Sequence, residues 1–177
     1  MISMRRYLAI PVLFAASALS AQTHTAAAKN NWTAATPTQL EAALPARAPV
    51  EKERIETEMS SASGVVDTHG RVIAAVVLIT AGYAAHGKYS HYLLAQAPLR
   101  IGTDIQLQPG AYVVGWTRVP DGLLVHVYDA DTGKDRGATL AKQQTQTLPV
   151  VPVKLWPPAE RSMIQIGRFM LPYSPAD

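Results

Sequence analysis

His86, His91 and His126 are the residues best suited to chemistry in this 177-residue chain. Imidazole is a zinc ligand, and three imidazoles leave a fourth position open for water or substrate. The first two stand five apart in "AHGKYSHYLLAQ". A strand sends successive side chains to opposite faces, so residues five apart on one strand cannot share a metal. Gly87 offers a way round this. His86 would sit in a loop and His91 in the strand, with His126 of "LLVHVYD" as a third ligand. The spacing matches no recognised metal motif. The simpler reading makes His91 and Tyr92 the two sides of one amphipathic strand.

Other chemistries find less. "DADTGKD" brings Asp129, Asp131 and Asp135 together. A helix-loop-helix calcium loop needs D-x-D-x-D-G and a distant glutamate, whereas here Gly133 comes one position early. Asp, Thr and Gly each have their own reason to sit in a hairpin turn, which is the preferred reading. Neither G-x-S-x-G nor S-x-x-K occurs, and there is no phosphate loop or dinucleotide fingerprint. Ser90 precedes His91, but neighbours on a strand face apart, so no nucleophile–base pair is expected there. The chain has no cysteine, which excludes a disulfide framework, a cysteine nucleophile and a lipid-anchoring cysteine. No cofactor is indicated.

Aromatic residues suggest binding rather than catalysis. Tyr83, Tyr89, Tyr92, Tyr112, Trp116 and Tyr128 fall in the β-like region, and Tyr89, Tyr92, Trp116 and Tyr128 are the candidates to line a groove for a glycan or a peptide. The same residues would serve equally as ordinary strand core.

The elements that must position these residues are strands. "GVVDTHGRVIAAVVLIT" places an Asp67–Gly70 turn between two apolar runs. Val72 to Ile79 carries Val and Ile on both faces and predicts a central strand buried on both sides. Further strands are predicted at Tyr89 to Gln96, Leu99 to Gly102, Ala111 to Thr117 after a Pro-Gly turn, "LLVHVYD", and Arg136 to Lys142. "VEKERIETEM" fits a helix or a strand, and the strand from about Arg54 is preferred. Pro149, Pro152, Pro157 and Pro158 confine their segment to an edge strand or an extended crossing, because proline has no amide to give to a ladder. Met163 to Leu171 reads as one closing strand. Turns about ten residues apart predict a sandwich or barrel.

The amino terminus carries "MISMRRYLAIPVLFAASALSA", which reads as a secretory signal covering residues 1–21. Arg5 and Arg6 form its basic start, and Tyr7 to Leu19 form an apolar run too short for a membrane span. Cleavage is expected after Ser20 or Ala21. The loss of two arginines lowers Lys+Arg from 16 to 14 against 13 acids, so the net charge falls from +3 to +1. A mature chain so nearly neutral, with no basic cluster, argues against a nucleic-acid partner. "VIAAVVLITAGYAA" is also too short to cross a bilayer, so no integral membrane segment is expected after signal removal. Residues 22–49 are rich in Ala, Thr and Pro and read as a mostly disordered tether. Within it, Thr36-Pro37-Thr38-Gln39 predicts a capped two-turn helix from Pro37 to Leu44, stable only if it docks.

"SGVVDTHGRVIAAVVLIT" resembles the opening of carboxypeptidase-regulatory-like and transthyretin-like β-sandwich modules, and "LQPGAYVVGW" resembles their later L-x-P-G-x-Y strand. The resemblance implies an immunoglobulin-like topology and a non-catalytic accessory role, with no catalytic residue carried over.

The expectation is therefore an all-β protein with a single β-sandwich over residues 50–175. It would be exported to the periplasm or the extracellular space as a non-enzymatic binding or accessory module. Its partner would be a protein, a peptide or a glycan. Two alternatives stand beside it. One is a small metal-binding protein or metal-dependent enzyme using His86, His91 and His126. The other is a structural envelope protein assembling through its edge strands.

Overall fold

The computed structural model describes residues 31–80, 88–145 and 148–176. The signal segment 1–21, residues 22–30 of the expected tether, Tyr83 and His86 lie outside them.

One aspartate shapes the first hairpin. Asp67 Oδ1 accepts from the amides of His69 at 2.8 Å and Arg71 at 2.9 Å. The Arg71 amide bond is the leading cause that holds this carboxyl below its usual range. The turn joins β3 (Glu53–Val66) to β4 (Val72–Ile79). Then come β5 (His91–Ala95), β6 (Leu99–Ile101), β7 (Ile105–Leu107), β8 (Gly110–Val119) and β9 (Gly122–Asp129). The chain ends with β10 (Asp135–Gln143), β11 (Val151–Trp156), β12 (Met163–Gly167) and β13 (Phe169–Pro175). Three short elements precede them: β1 (Thr33–Ala34), α1 (Pro37–Ala43) and β2 (Arg47–Val50).

The all-β expectation holds, but the two-layer sandwich is not shown. One antiparallel ladder runs β3-β4-β5-β8-β9-β10-β13-β12-β11. Its last strand returns beside its first, where the Leu155 amide donates to Ser63 Oγ at 3.0 Å. The sheet is thus nearly closed into a barrel. Turn spacing cannot separate these outcomes, because both are meanders of short strands. Curvature decides, and β3 supplies some of it. Its pairing with β4 slips between Glu58 and Ser63, and Ser61 Oγ accepts the Leu78 amide at 2.9 Å inside the irregularity.

The expected edge strand is present as β11. Its register with β12 breaks between Val151 and Lys154, around Pro152, which has no amide to pair. The single closing strand expected from Met163 to Leu171 is instead the hairpin β12–β13. Gly167 turns the chain there with φ of 59°.

The sheet buries both faces. Inside, Val76, Leu93, Val114, Val125, Leu155 and Leu171 belong to one apolar cluster. Outside, Ala75, Val77, Tyr92 and Val113 belong to a second, which also holds Leu40, Leu44, Ala48 and Val50 from the amino-terminal segment. Strand β4 feeds both clusters, as its unbroken apolar run predicts.

Residues 31–49 are therefore not a disordered tether. Helix α1 has the predicted capping box, with the Gln39 amide donating to Thr36 Oγ1 at 3.3 Å and the Thr36 amide donating to Gln39 Oε1 at 2.9 Å. Gln39 Nε2 also donates to the Gly70 carbonyl at 3.1 Å, tying α1 to the first turn. Seven residues are too few for an isolated helix. Leu40 and Leu44 stabilise it by docking on the outer cluster. Thr36→Ala is expected to cost about 1 kcal/mol, read as a lower urea midpoint at unchanged slope. Among the described residues, no helix is long and apolar enough to cross a membrane.

Candidate functional site

Residues 88–90 bring the chain over the outer face of β8 and into β5. Gly115 permits the crossing, because a Cβ there would run into the Lys88 carbonyl oxygen. Ser90 is anchored at the end of this segment. Its amide donates to the Val114 carbonyl at 2.9 Å, and its Oγ donates to the same oxygen at 3.2 Å.

His91 opens β5 opposite Val114. It shares the inward face with Leu93 and is only 2% exposed. Together with Val76, Val114, Val125, Leu155 and Trp116 it lines a cavity of about 20 Å³, the room of about one water. The indole of Trp116, half-buried, lies 5.0 Å from the imidazole, centroid to centroid, at 35°.

Ser90 Oγ and His91 Nδ1 lie 3.1 Å apart, so the serine satisfies one ring nitrogen whichever of the two gives the proton. The other, Nε2, is buried and has no partner among the described residues. Burial pushes the pKa of His91 down to about 4, so the ring is neutral at pH 7. The other buried polar side chain differs. Gln165 accepts from Trp156 Nε1 at 2.9 Å and donates to the Pro149 and Gly167 carbonyls at 2.8 Å each.

Ser90 and His91 were expected to face apart, and they do not. Ser90 lies just before the strand, so strand alternation does not bind it. The contact still makes a poor nucleophile–base pair. A base with a pKa of about 4 is far from the operating range of a general base at neutral pH.

Of the three histidines, His86 lies outside the described residues, and the other two do not converge. His126 pairs with Gly115 in β8 and lies between Val125 and Val127, both of which face inward. It therefore faces outward, stacked on Tyr128 at 6.0 Å and 12°. The sheet separates it from His91. Its Nδ1 is a second buried nitrogen without a partner among the described residues. No cluster of three or more His, Cys, Asp or Glu side chains among those residues could hold a metal ion.

The four aromatic candidates also divide. Tyr89 and Tyr92 are each 4% exposed, within the outer cluster. Tyr128 packs against that cluster from the same side, 5.2 Å from Tyr89. Tyr89 Oη donates to Glu51 at 2.8 Å, and burial followed by this bond raises its pKa. Lys88 Nζ sits 4.0 Å from the Tyr128 ring centre. These rings form packed structure rather than an open groove. Trp116 alone belongs to the inner face, where it meets His91.

The aspartates of "DADTGKD" form the predicted hairpin. Asp129 pairs with Arg136 at 2.6 Å and accepts from Thr132, while Asp135 accepts the Gly137 amide at 2.7 Å. Sequence reasoning placed His91 and Trp116 in separate hypotheses. The missed signal was parity: His91 shares its strand face with Leu93 and Ala95, as Trp116 does with Val114 and Tyr112. In comparisons with known proteins, the chain matches no family model, no curated protein and no solved structure.

Proposed function

We propose that this protein is an exported, non-enzymatic binding module that takes a small, largely apolar molecule into the barrel beside His91 and Trp116. One observation carries the reading: a buried imidazole nitrogen, without a partner among the described residues, lines an apolar cavity with a half-buried indole as one wall. Sites for small molecules are typically apolar with few polar groups. Export rests on the amino-terminal signal pattern. The resemblance to regulatory-like and transthyretin-like modules agrees with a non-catalytic role. A glycan or peptide groove is less favoured, because Tyr89 and Tyr92 are buried. Assembly through edges is also less favoured, because β1 and β2 pair with the free side of β3, and β11 approaches it between them.

Thermal melts with benzene, toluene, phenol and indole test the proposal. A ligand confined to the folded state stabilises it by about 2.7 kcal/mol at a hundred times its dissociation constant. At least one is expected to raise the melting temperature and to shift the amide signals of Val114, Trp116 and Val125. No rise with any of the four, or shifts confined to the outer face, would reject the binding site.

A further inference from the structure

We propose that His91 Nε2 makes this site selective for a neutral small molecule bearing a hydroxyl, which hydrogen-bonds that nitrogen. The inference rests on the internal binding site proposed above. Its own support is the way Ser90 occupies the ring. His91 Nδ1 lies 3.1 Å from Ser90 Oγ, and Ser90 Oγ lies 3.2 Å from the Val114 carbonyl oxygen. Ser90 therefore satisfies one ring nitrogen and leaves the other, Nε2, at the cavity wall without a partner among the described residues. A hydroxyl can meet that nitrogen as donor or as acceptor, whichever tautomer the ring adopts.

The other side chains lining that wall are aliphatic, apart from Trp116. An apolar ligand without a polar group would leave the nitrogen unpaired, and a carboxylate would have to bury its charge in an apolar cavity. A hydroxyl on a small apolar body meets both demands. The cavity of about 20 Å³ admits about one water as it stands, so a ring-sized guest must displace a wall. Trp116 is that wall, because it is one of two half-buried members of the lining set, with Ile164, and its ring lies 5.0 Å from the imidazole.

Phenol and toluene, nearly equal in shape, separate this inference from the broader one. Titration followed by tryptophan fluorescence is expected to give phenol about tenfold tighter binding than toluene, the ratio one net hydrogen bond supplies. His91→Phe should abolish the preference. Should that variant fail to fold, the nitrogen-15 spectrum of the unaltered protein still decides. Phenol is expected to move the Nε2 signal. Equal affinities, a preference that survives His91→Phe, or an Nε2 signal unmoved by bound phenol would overturn the inference and leave the apolar site standing. Binding of neither molecule would remove both.

Discussion

Between pH 6.5 and about 4, the protein is expected to lose about 3 kcal/mol of stability through His91 alone. Its folded pKa lies near 4, against 6.5 for an unperturbed imidazole. In that window the unfolded chain binds a proton that the folded chain refuses. Stability from this residue is therefore full above pH 6.5, falls as the pH drops, and levels off near pH 4. The cause is local, because a charged imidazole would sit in an apolar cavity with no acid among the residues lining it. Urea unfolding of the wild type and His91→Phe across pH 7 to 4 reads the effect as a difference. Asp67 and Asp129, whose pKa values are also lowered, are present in both proteins and cancel. Parallel curves for the two proteins would mean that His91 is not the buried neutral group described here.

Removing residues 31–50 is expected to unfold the protein or drive it into aggregates. The segment contributes Leu40, Leu44, Ala48 and Val50 to the outer cluster. Leu40→Ala alone should cost about 2–4 kcal/mol, the range for a buried leucine. The whole segment then approaches the 5–15 kcal/mol that stabilises an ordinary domain. Losing it would also expose Ala75, Val77 and Tyr92, a patch that invites association. Light scattering and a urea melt of the shortened chain provide the test. A monomer melting like the full protein would restore the tether reading.

These two expectations show how far the sequence could be read. The capping box at Thr36 and Gln39 was visible, since both partners lie within one turn. Whether α1 docks was not, because the face it covers belongs to strands many residues away. Likewise "AHGKYSHYLLAQ" disclosed two histidines, but not that β8 would lie beneath His91 and present the Val114 carbonyl to Ser90.

By itself the sequence determined the features set by neighbours a few residues apart. These are the Asp67 turn, the Asp129 hairpin, the cap of α1, the doubly buried run of β4 and the edge character that Pro152 forces on β11. Each depends on a local hydrogen bond or on its absence. The tertiary structure decided everything that depends on which strand meets which. It closed the sheet to near a barrel, turned His126 out and His91 in, buried Tyr89 and Tyr92, and set Trp116 against the His91 ring. The physical reason is that pairing and closure are non-local. A period of two says that faces alternate, but only the partner strands say which face becomes the inside.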